Sequence, residues 1–114
     1  MTPNVEEAVI AALRASGLKA YADVPADRPE RFCTVELTGS TTAARGAIRT
    51  CAVAVQSWAP TRYEASELSI EAEPAVLAMD EPWLMAVEPD NSYYFASSDG
   101  LPRYQATYEL TVCP

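Results

Sequence analysis

TCAVAVQSWAPTRYEASELSIEAEPAVLAM, residues 50–79, is the stretch that decides the fold. In its first part the side chains alternate between two sides of the chain, with Val53 and Val55 on one side, which is typical of a β-strand with one buried face. Trp58 falls on the opposite parity. We expect a bulge beside it to rotate the indole into the core, or else a neighbouring subunit to cover it. The stretch therefore predicts a strand over 47–59 that ends at a proline.

A helix is predicted directly after this strand. Thr61 and Glu64 have the spacing of a capping box, in which the threonine hydroxyl accepts a hydrogen bond from the third helical N–H. An interior proline deletes a backbone hydrogen bond, so we expect a kink or a break between Glu71 and Pro74. The residues of the face that would lie on a sheet are Ala65, Leu68, Ala72, Val76 and Met79.

Before this unit the sequence predicts another helix and two strands. Thr2, Pro3 and Asn4 form a helix start and Gly17 a stop, so a helix is expected over 4–16. A short strand is expected over 18–22 and a second over 31–38. In the second, the inward residues are Cys33, Val35 and Leu37, and the outward residues are Thr34, Glu36 and Thr38. Residues 39–46 are small and polar and predict a flexible hairpin tip.

The C-terminal part predicts two more strands. One begins at Trp83 and is interrupted at 89–92 before it resumes at 93–95, which indicates a bulged or bent strand. In the other, over 103–113, apolar and polar residues alternate more regularly than anywhere else in the sequence. The sequence thus predicts one α+β domain over 1–114, with a mostly antiparallel β-sheet of about four to five strands and two helices on one face.

The composition excludes several kinds of chemistry. The 114 residues contain no histidine, which removes Ser-His-Asp and Cys-His mechanisms and the commonest metal ligand. Cys33, Cys51 and Cys113 lack disulfide or zinc-ligand spacing, so we interpret them as buried free thiols. No phosphate-binding loop is present, and neighbouring carboxylates on a helix do not converge, so we expect no enzymatic activity and no cofactor.

The sequence gives no indication of a membrane protein. No apolar run approaches the roughly 18 residues that a membrane span needs. The N-terminus lacks the basic-then-apolar pattern of a signal peptide, so we expect a protein that is made and kept in the cytosol.

The charge distribution suggests an interface. The net charge of −8 argues against binding to nucleic acid or to anionic membranes. Five arginines lie between 28 and 62, whereas 63–102 contains nine acidic residues and no basic one. Either the acidic helix simply faces water, or the basic patch of one copy meets the acidic patch of the next in a closed ring. The candidate interface residues are Arg28, Arg31, Ser40, Thr41, Thr42, Arg45, Arg49, Arg62, Glu64, Glu67 and Glu71.

The tyrosines of the last two strands permit two interpretations. They could stack on single-stranded nucleic acid, but such a surface needs a basic groove, and here the neighbours are acidic. We therefore interpret them as part of the sheet core with amphipathic rims available to an interface. These residues are Tyr93, Tyr94, Tyr104 and Tyr108.

Four stretches together resemble the small tail-terminator (tail-completion) proteins of long-tailed bacteriophages. They are NVEEAVIAAL (4–13), YADVPADRPERFCTVELTG (21–39), CAVAVQSWAPTRYEASELS (51–69) and SSDGLPRYQATYELTV (97–112). The resemblance spans nearly the whole chain. It implies a homo-oligomeric ring, expected to be a hexamer, that caps the finished tail tube at the tail-neck junction of the virion after assembly in the host cytoplasm.

The same resemblance implies three partners: other copies of the chain, the major tail tube protein, and a head-completion or neck protein. One alternative is another neck component, such as a head-closure or stopper protein. The alternative from a different class is a cytosolic α+β domain that binds a small molecule or has a regulatory role, with the tyrosines lining a pocket.

Overall fold

The structure, a computed structural model, describes residues 3–113 and contains one five-stranded sheet with two helices. The elements in chain order are α1 (Val5–Ala15), β1 (Ala20–Tyr21), β2 (Phe32–Ala43), a 3-10 turn (Ala44–Gly46), β3 (Ile48–Trp58), α2 (Arg62–Leu77), β4 (Leu84–Tyr94) and β5 (Arg103–Val112). The strand order is β1-β2-β3-β5-β4. Only the β1–β2 pair is parallel. The predicted α+β class and the mostly antiparallel sheet are confirmed.

Both helices bury their apolar sides against the same face of the sheet. Val9 and Leu13 of α1 and Leu68 of α2 share one cluster with the inward residues of β3 and β5. Tyr108 and Phe32 are the largest of the fully buried side chains. The alternation predicted for β5 is confirmed, because Ala106, Tyr108, Leu110 and Val112 are all buried.

The helix starts follow the predicted caps. The Asn4 side chain accepts from Glu7 N at 3.0 Å, and α1 ends at Ala15, two residues before Gly17, whose φ of 88° is a left-handed conformation that suits glycine. Thr2 lies outside the described residues. Thr61 Oγ1 accepts from Glu64 N at 3.1 Å and donates to the Glu64 carboxylate. The cap therefore sets the start of α2 as expected.

The break predicted at Pro74 is wrong, because α2 continues through the proline to Leu77. Pro74 lies in the last helical turn and is exposed. The residue whose carbonyl loses its helical partner is Ile70, which is 69% exposed, so water can take the place of the missing N–H. The helix therefore tolerates the proline.

The hairpin tip predicted over 39–46 is too long, because the turn is limited to Ala44–Gly46, and the flexibility expected of it stays a prediction. β2 runs on to Ala43 and pairs with β3 from Gly39↔Ala52 to Ala43↔Ile48. Backbone pairing with β3 supplies hydrogen bonds whatever the side chains are, so the small polar composition predicted the exposure of this segment rather than its conformation. We call residues 39–47, which are all exposed, the arm.

The structure also corrects two residues of β2 that the sequence placed on the wrong side of the strand. Leu37, expected inside, is 37% exposed, because it precedes a bulge between Leu37 and Gly39 at the start of the arm. Thr34, expected outside, is 3% exposed, because the Trp58 indole covers it. Cys33 and Val35 are buried as predicted.

β4 forms one strand with two register shifts, between Leu84 and Ala86 and between Pro89 and Asn91. This confirms the predicted bulged strand. Its irregular outer edge, which includes a proline, is poorly suited to pairing with another strand.

The three cysteines are free thiols, but only two are buried. Burial raises the pKa of Cys33 to about 11 and raises that of Cys51. Cys113 is exposed, so the prediction that it would be buried is wrong. It lies just after β5 ends and donates to the carbonyl of Ala47.

Candidate interaction surfaces

The face of the sheet opposite the helices carries a chain of side-chain hydrogen bonds. Trp58 Nε1 donates to Thr34 Oγ1 at 3.0 Å, and the Thr34 hydroxyl donates to Gln56 Oε1 at 2.7 Å. Gln56 Nε2 donates to Gln105 Oε1 at 3.0 Å, and Gln105 Nε2 donates to the Tyr93 hydroxyl at 2.7 Å. Each bond fixes the orientation of the next group, so four strands present one ordered polar surface.

Trp58 is buried without the bulge that the sequence predicted. The pairing of β3 with β2 is regular through Cys33↔Ser57 and Phe32↔Trp58, so the indole stays on the face opposite the helices. It is nonetheless only 6% exposed. The Phe32 ring stacks on it, with centroids 5.7 Å apart and planes 4° from parallel. Trp58 therefore belongs to a small second core. It is buried within its own chain, as one of the two expectations required, but on the face opposite the helices.

Two arginines cover this second core. The Arg28 guanidinium lies 5.1 Å from the centre of the Trp58 ring, and that of Arg103 lies 4.9 Å from the same ring and 4.6 Å from the ring of Phe95. Cation–π contacts of this kind contribute about 0.5–1 kcal/mol each at exposed sites. Arg28, in the loop before β2, and Arg103, at the start of β5, thereby close one end of the sheet.

Arg28 and Trp58 line two hollows, of about 300 and 580 Å³. Glu30 lines the first and Asp99 the second. A hydrogen bond from Ser97 lowers the pKa of Asp99, so its carboxylate is charged at neutral pH. The arginine charges in this region are thus matched by acidic neighbours, and the region has no net excess of positive charge.

The outward side of α2 carries an apolar stripe, which we define as Tyr63, Ile70 and Leu77. Their exposed fractions are 72, 69 and 40%. A spacing of seven residues places them almost in line along the helix, directly opposite its buried face. The carboxylate of Glu67 lies beside the stripe and raises the pKa of Tyr63. Sequence reasoning missed the stripe because it looked for the buried face; the seven-residue spacing was the available signal.

The tip of the arm has an unusual backbone. Ala44 and Arg45 have φ values of 51° and 58°, and Gly46 follows with 87°. The first two residues are not glycines, so both carry strain in this left-handed conformation. The strained turn places Arg45 at the exposed end of the arm.

The structure separates the arginines that the sequence grouped together. Arg28, Arg31 and Arg62 lie where β2 begins and β3 ends, whereas Arg45 lies at the tip of the arm and Arg49 lies on β3 opposite Thr42, close to that tip. A hairpin brings the ends of its segment together and puts the middle farthest away, so a cluster in sequence becomes two groups in space. One basic patch is therefore not formed.

The remaining predicted interface residues fall into three settings. Arg31 forms an ion pair with Glu71 at 3.0 Å, the only ion pair found within residues 3–113, so these two charges neutralise each other inside one chain. Arg62 lies 4.4 Å from the centre of the Tyr94 ring. Glu64 holds the helix cap. Ser40, Thr41 and Thr42 are exposed on the arm, and Arg49 on β3 is half-buried with its Nε buried and without a hydrogen-bond partner in the described residues.

The tyrosines do not line a common pocket in the part of the chain that is described. Tyr108 is in the core, where burial is the main cause that raises its pKa, and Tyr94 and Tyr104 contact each other with centroids 5.7 Å apart. Tyr93 is on the opposite face, at the end of the hydrogen-bonded chain. This arrangement agrees with the interpretation of sheet core and rim.

Neither a metal site nor a membrane span is found within residues 3–113. Histidine, cysteine and acidic side chains do not gather there in the groups of three that could hold a metal ion. In the same residues no helix is long and apolar enough to cross a bilayer.

Comparison with known proteins gives a likeness in structure and no match by sequence. No protein-family model and no curated protein matches the chain. The structure is similar to that of the gp17 protein of bacteriophage SPP1, with a TM-score of 0.48 and 15% sequence identity, over 96% of this chain and 91% of that chain.

Proposed function

We propose that this protein is a structural, non-catalytic part of a bacteriophage virion that caps the completed tail tube as a ring and offers an attachment surface to the head-neck complex. The observation that carries the proposal is the uncovered stripe of α2. Tyr63 and Ile70 are each about 70% exposed, aligned on one helix face and flanked by carboxylates. A helix of this kind is typical of a surface that binds another protein.

A ring needs two different surfaces on each subunit, because head-to-tail contacts pair unlike patches and close by rotation. This chain has an apolar and acidic surface on α2 and a polar, basic one on the arm. The resemblance of four stretches to tail-terminator proteins supports the more specific role. The expected partners are other copies of the chain, the major tail tube protein and a head-completion protein.

The first experiment is native mass spectrometry combined with negative-stain imaging of the purified protein. We expect a closed ring with a central pore, and a mass that corresponds to six chains. A compact monomer or dimer at all concentrations would contradict the proposal and favour a regulatory or ligand-binding domain.

The second experiment separates the cap from other neck components. The protein is added to polymerising tail tube protein from the same phage, and we expect rings at tube ends and an arrest of growth. Rings that do not bind tubes but do bind the head portal would instead support the alternative of a head-closure or stopper protein.

A further inference from the structure

Two separate surfaces of the molecule have matching chemistry. The stripe of α2 is apolar and has acidic margins, with Glu67 and Glu71 on one side and Glu73 on the other. The arm is small, exposed and basic. Arg45 lies at its tip, Arg49 lies opposite Thr42, and the chain has no acidic residue between 37 and 63.

We propose that the tip of the arm of one copy, with Arg45 at its end, docks on the Tyr63, Ile70 and Leu77 stripe of the next copy. This inference rests on the proposed ring, and it names the two surfaces that meet in it. Alanine methyl groups at 43, 44 and 47 surround Arg45, so the tip can lie close to the exposed Ile70 side chain while its guanidinium reaches a carboxylate at the margin.

The contact is between copies rather than within one. α2 packs its buried side on the centre of the sheet, against β3 and β5, and the stripe points away from it. The arm lies on the other side of β3 from β5, where β2 has no outer neighbour, and residues 39–47 are exposed along their whole length. An arm and a stripe placed in this way pair head to tail, which is the geometry of a ring.

The strained turn supports the tip as the contact point. Ala44 and Arg45 are two consecutive non-glycine residues with positive φ on an exposed loop. Strain of this kind persists where a conformation has a use, and here it projects Arg45 from the end of the arm.

Other surfaces of the described chain fit the stripe less well. Arg28 and Arg103 share their hollows with Glu30 and Asp99, so that end of the sheet offers no excess positive charge. The sheet edges are also blunted, since Glu6 accepts the hydrogen bond from Leu37 N on β2, and β4 is bulged. The arm combines positive charge with small apolar groups and no acid.

The test measures self-association of single variants by sedimentation and native mass spectrometry. Arg45→Glu and Ile70→Asp are each expected to weaken it by about tenfold or more, because one adds like-charge repulsion and the other places a charge in the apolar contact. Lys19→Glu and Val24→Asp are the matched controls, an equal charge change and an equal apolar-to-acid change at exposed sites elsewhere, and should leave the ring intact.

A mixing experiment provides the sharper result. The double variant Glu67→Arg, Glu73→Arg reverses the margins of the stripe and leaves the Arg31–Glu71 ion pair in place. At a protein concentration just sufficient for wild-type rings, it should fail to form rings alone, as should Arg45→Glu. Mixed together, the two chains should form rings that contain both in equal numbers, because each arm then meets a stripe of opposite charge.

The possible outcomes are distinguishable. Rings that survive both Arg45→Glu and Ile70→Asp, or single variants that fail to recover on mixing, would overturn this pairing and leave the ring function standing. A wild-type chain that never self-associates would overturn both. Urea denaturation of each variant checks the fold, and Ile70→Ser replaces Ile70→Asp if the latter proves unfolded.

Discussion

Trp58 shows how a residue on the face opposite the helices can still hold the fold together. Its ring stacks on Phe32, its Nε1 donates to Thr34, and two arginines cover it. We expect Trp58→Ala to lower the free energy of unfolding by about 3–5 kcal/mol in urea denaturation. Tyr63→Ala, at a side chain that is 72% exposed, is the control and should change it by less than about 0.5 kcal/mol. Equal effects of the two would contradict a second core at Trp58.

Buried acidic groups predict a loss of stability in alkali. Burial raises the pKa of the Cys33 thiol from 9.0 to about 11 and raises that of Tyr108 above 10.0. A raised pKa means that the folded state holds its proton more tightly, so this stability is fully present below pH 9 and is lost as the pH rises through 11. Cys33 alone accounts for about 3 kcal/mol over that window.

The measurement is the free energy of unfolding between pH 7 and pH 11.5. The variant Cys33→Ala should be less stable at pH 7, because it leaves a cavity, and should lose less stability above pH 9 than the wild type. A wild-type stability that stays constant up to pH 11 would show that these groups ionise freely in the folded state.

At the residue scale, sequence parity predicted on which side of β3 Trp58 lies but not that it is buried. The groups that cover it come from residues 28, 32 and 103, and no local pattern reports contacts so distant in sequence. The same holds for Thr34, which reads as an outward residue and is buried by the indole.

At the scale of elements, Pro74 is a weak point that α2 tolerates. Pro74→Ala restores a backbone N–H in the last turn and removes a steric conflict, which would be worth up to about 3 kcal/mol in a helix interior. Loss of the constraint on the unfolded chain offsets about 1 kcal/mol of this gain. We expect a net stabilisation of about 1–2 kcal/mol in thermal or urea unfolding, against only a few tenths for Glu73→Ala on the same helix. A loss of stability would show that the proline acts mainly through the unfolded state.

The arm should exchange its amide hydrogens faster than the rest of the sheet. Residues 39–43 of β2 pair with β3 alone, whereas β3 also pairs with β5 from Arg49 onward. The arm is therefore an exposed edge segment with a neighbour on one side only, and segments with few buried apolar contacts open at a low free-energy cost. In the isolated subunit we expect protection to fall from Leu37 toward Arg45, and in the assembled ring to rise at the tip. Slow exchange at the tip of the isolated subunit would contradict this prediction.

The elements that the sequence predicted well are those with local signals. Caps at Asn4 and Thr61 and the alternation in 103–113 act within a few residues, and α1, the start of α2 and β5 are found where they were expected. The arm was missed because a β-ladder is formed by residues on another strand. Small polar residues give no periodic signal even when their backbone is fully paired.

At the scale of the whole molecule, the candidate surfaces were only partly predictable. The acidic character of α2 and the basic character of the arm could be read from the sequence. Their grouping in space could not, since the hairpin separates Arg28 from Arg45 and the fold pairs Arg31 with Glu71 inside one chain. Charge counts along a sequence therefore indicate which segments carry charge, but the topology decides which charges remain available to a partner.

The net charge of −8 and the proposed contact lead to opposite effects of salt on self-association. Copies of one acidic protein repel each other over distances comparable to the 25 Å width of the subunit, and a Debye length of about 10 Å at 0.1 M salt screens that repulsion. An arginine within about 4 Å of a carboxylate is weakened mainly near 1 M, where the Debye length is about 3 Å, and the apolar part of the contact does not weaken with salt. We therefore expect self-association, measured by sedimentation, to be strongest at intermediate salt, weaker at about 0.01 M, and reduced but still present at 1 M.

For Arg45→Glu the decline between 0.1 and 1 M should disappear. A steady decline of wild-type self-association from the lowest salt upward would show that close charge pairs outweigh the repulsion of the whole molecule. Complete dissociation at 1 M would show that the Tyr63, Ile70 and Leu77 stripe contributes nothing to the contact.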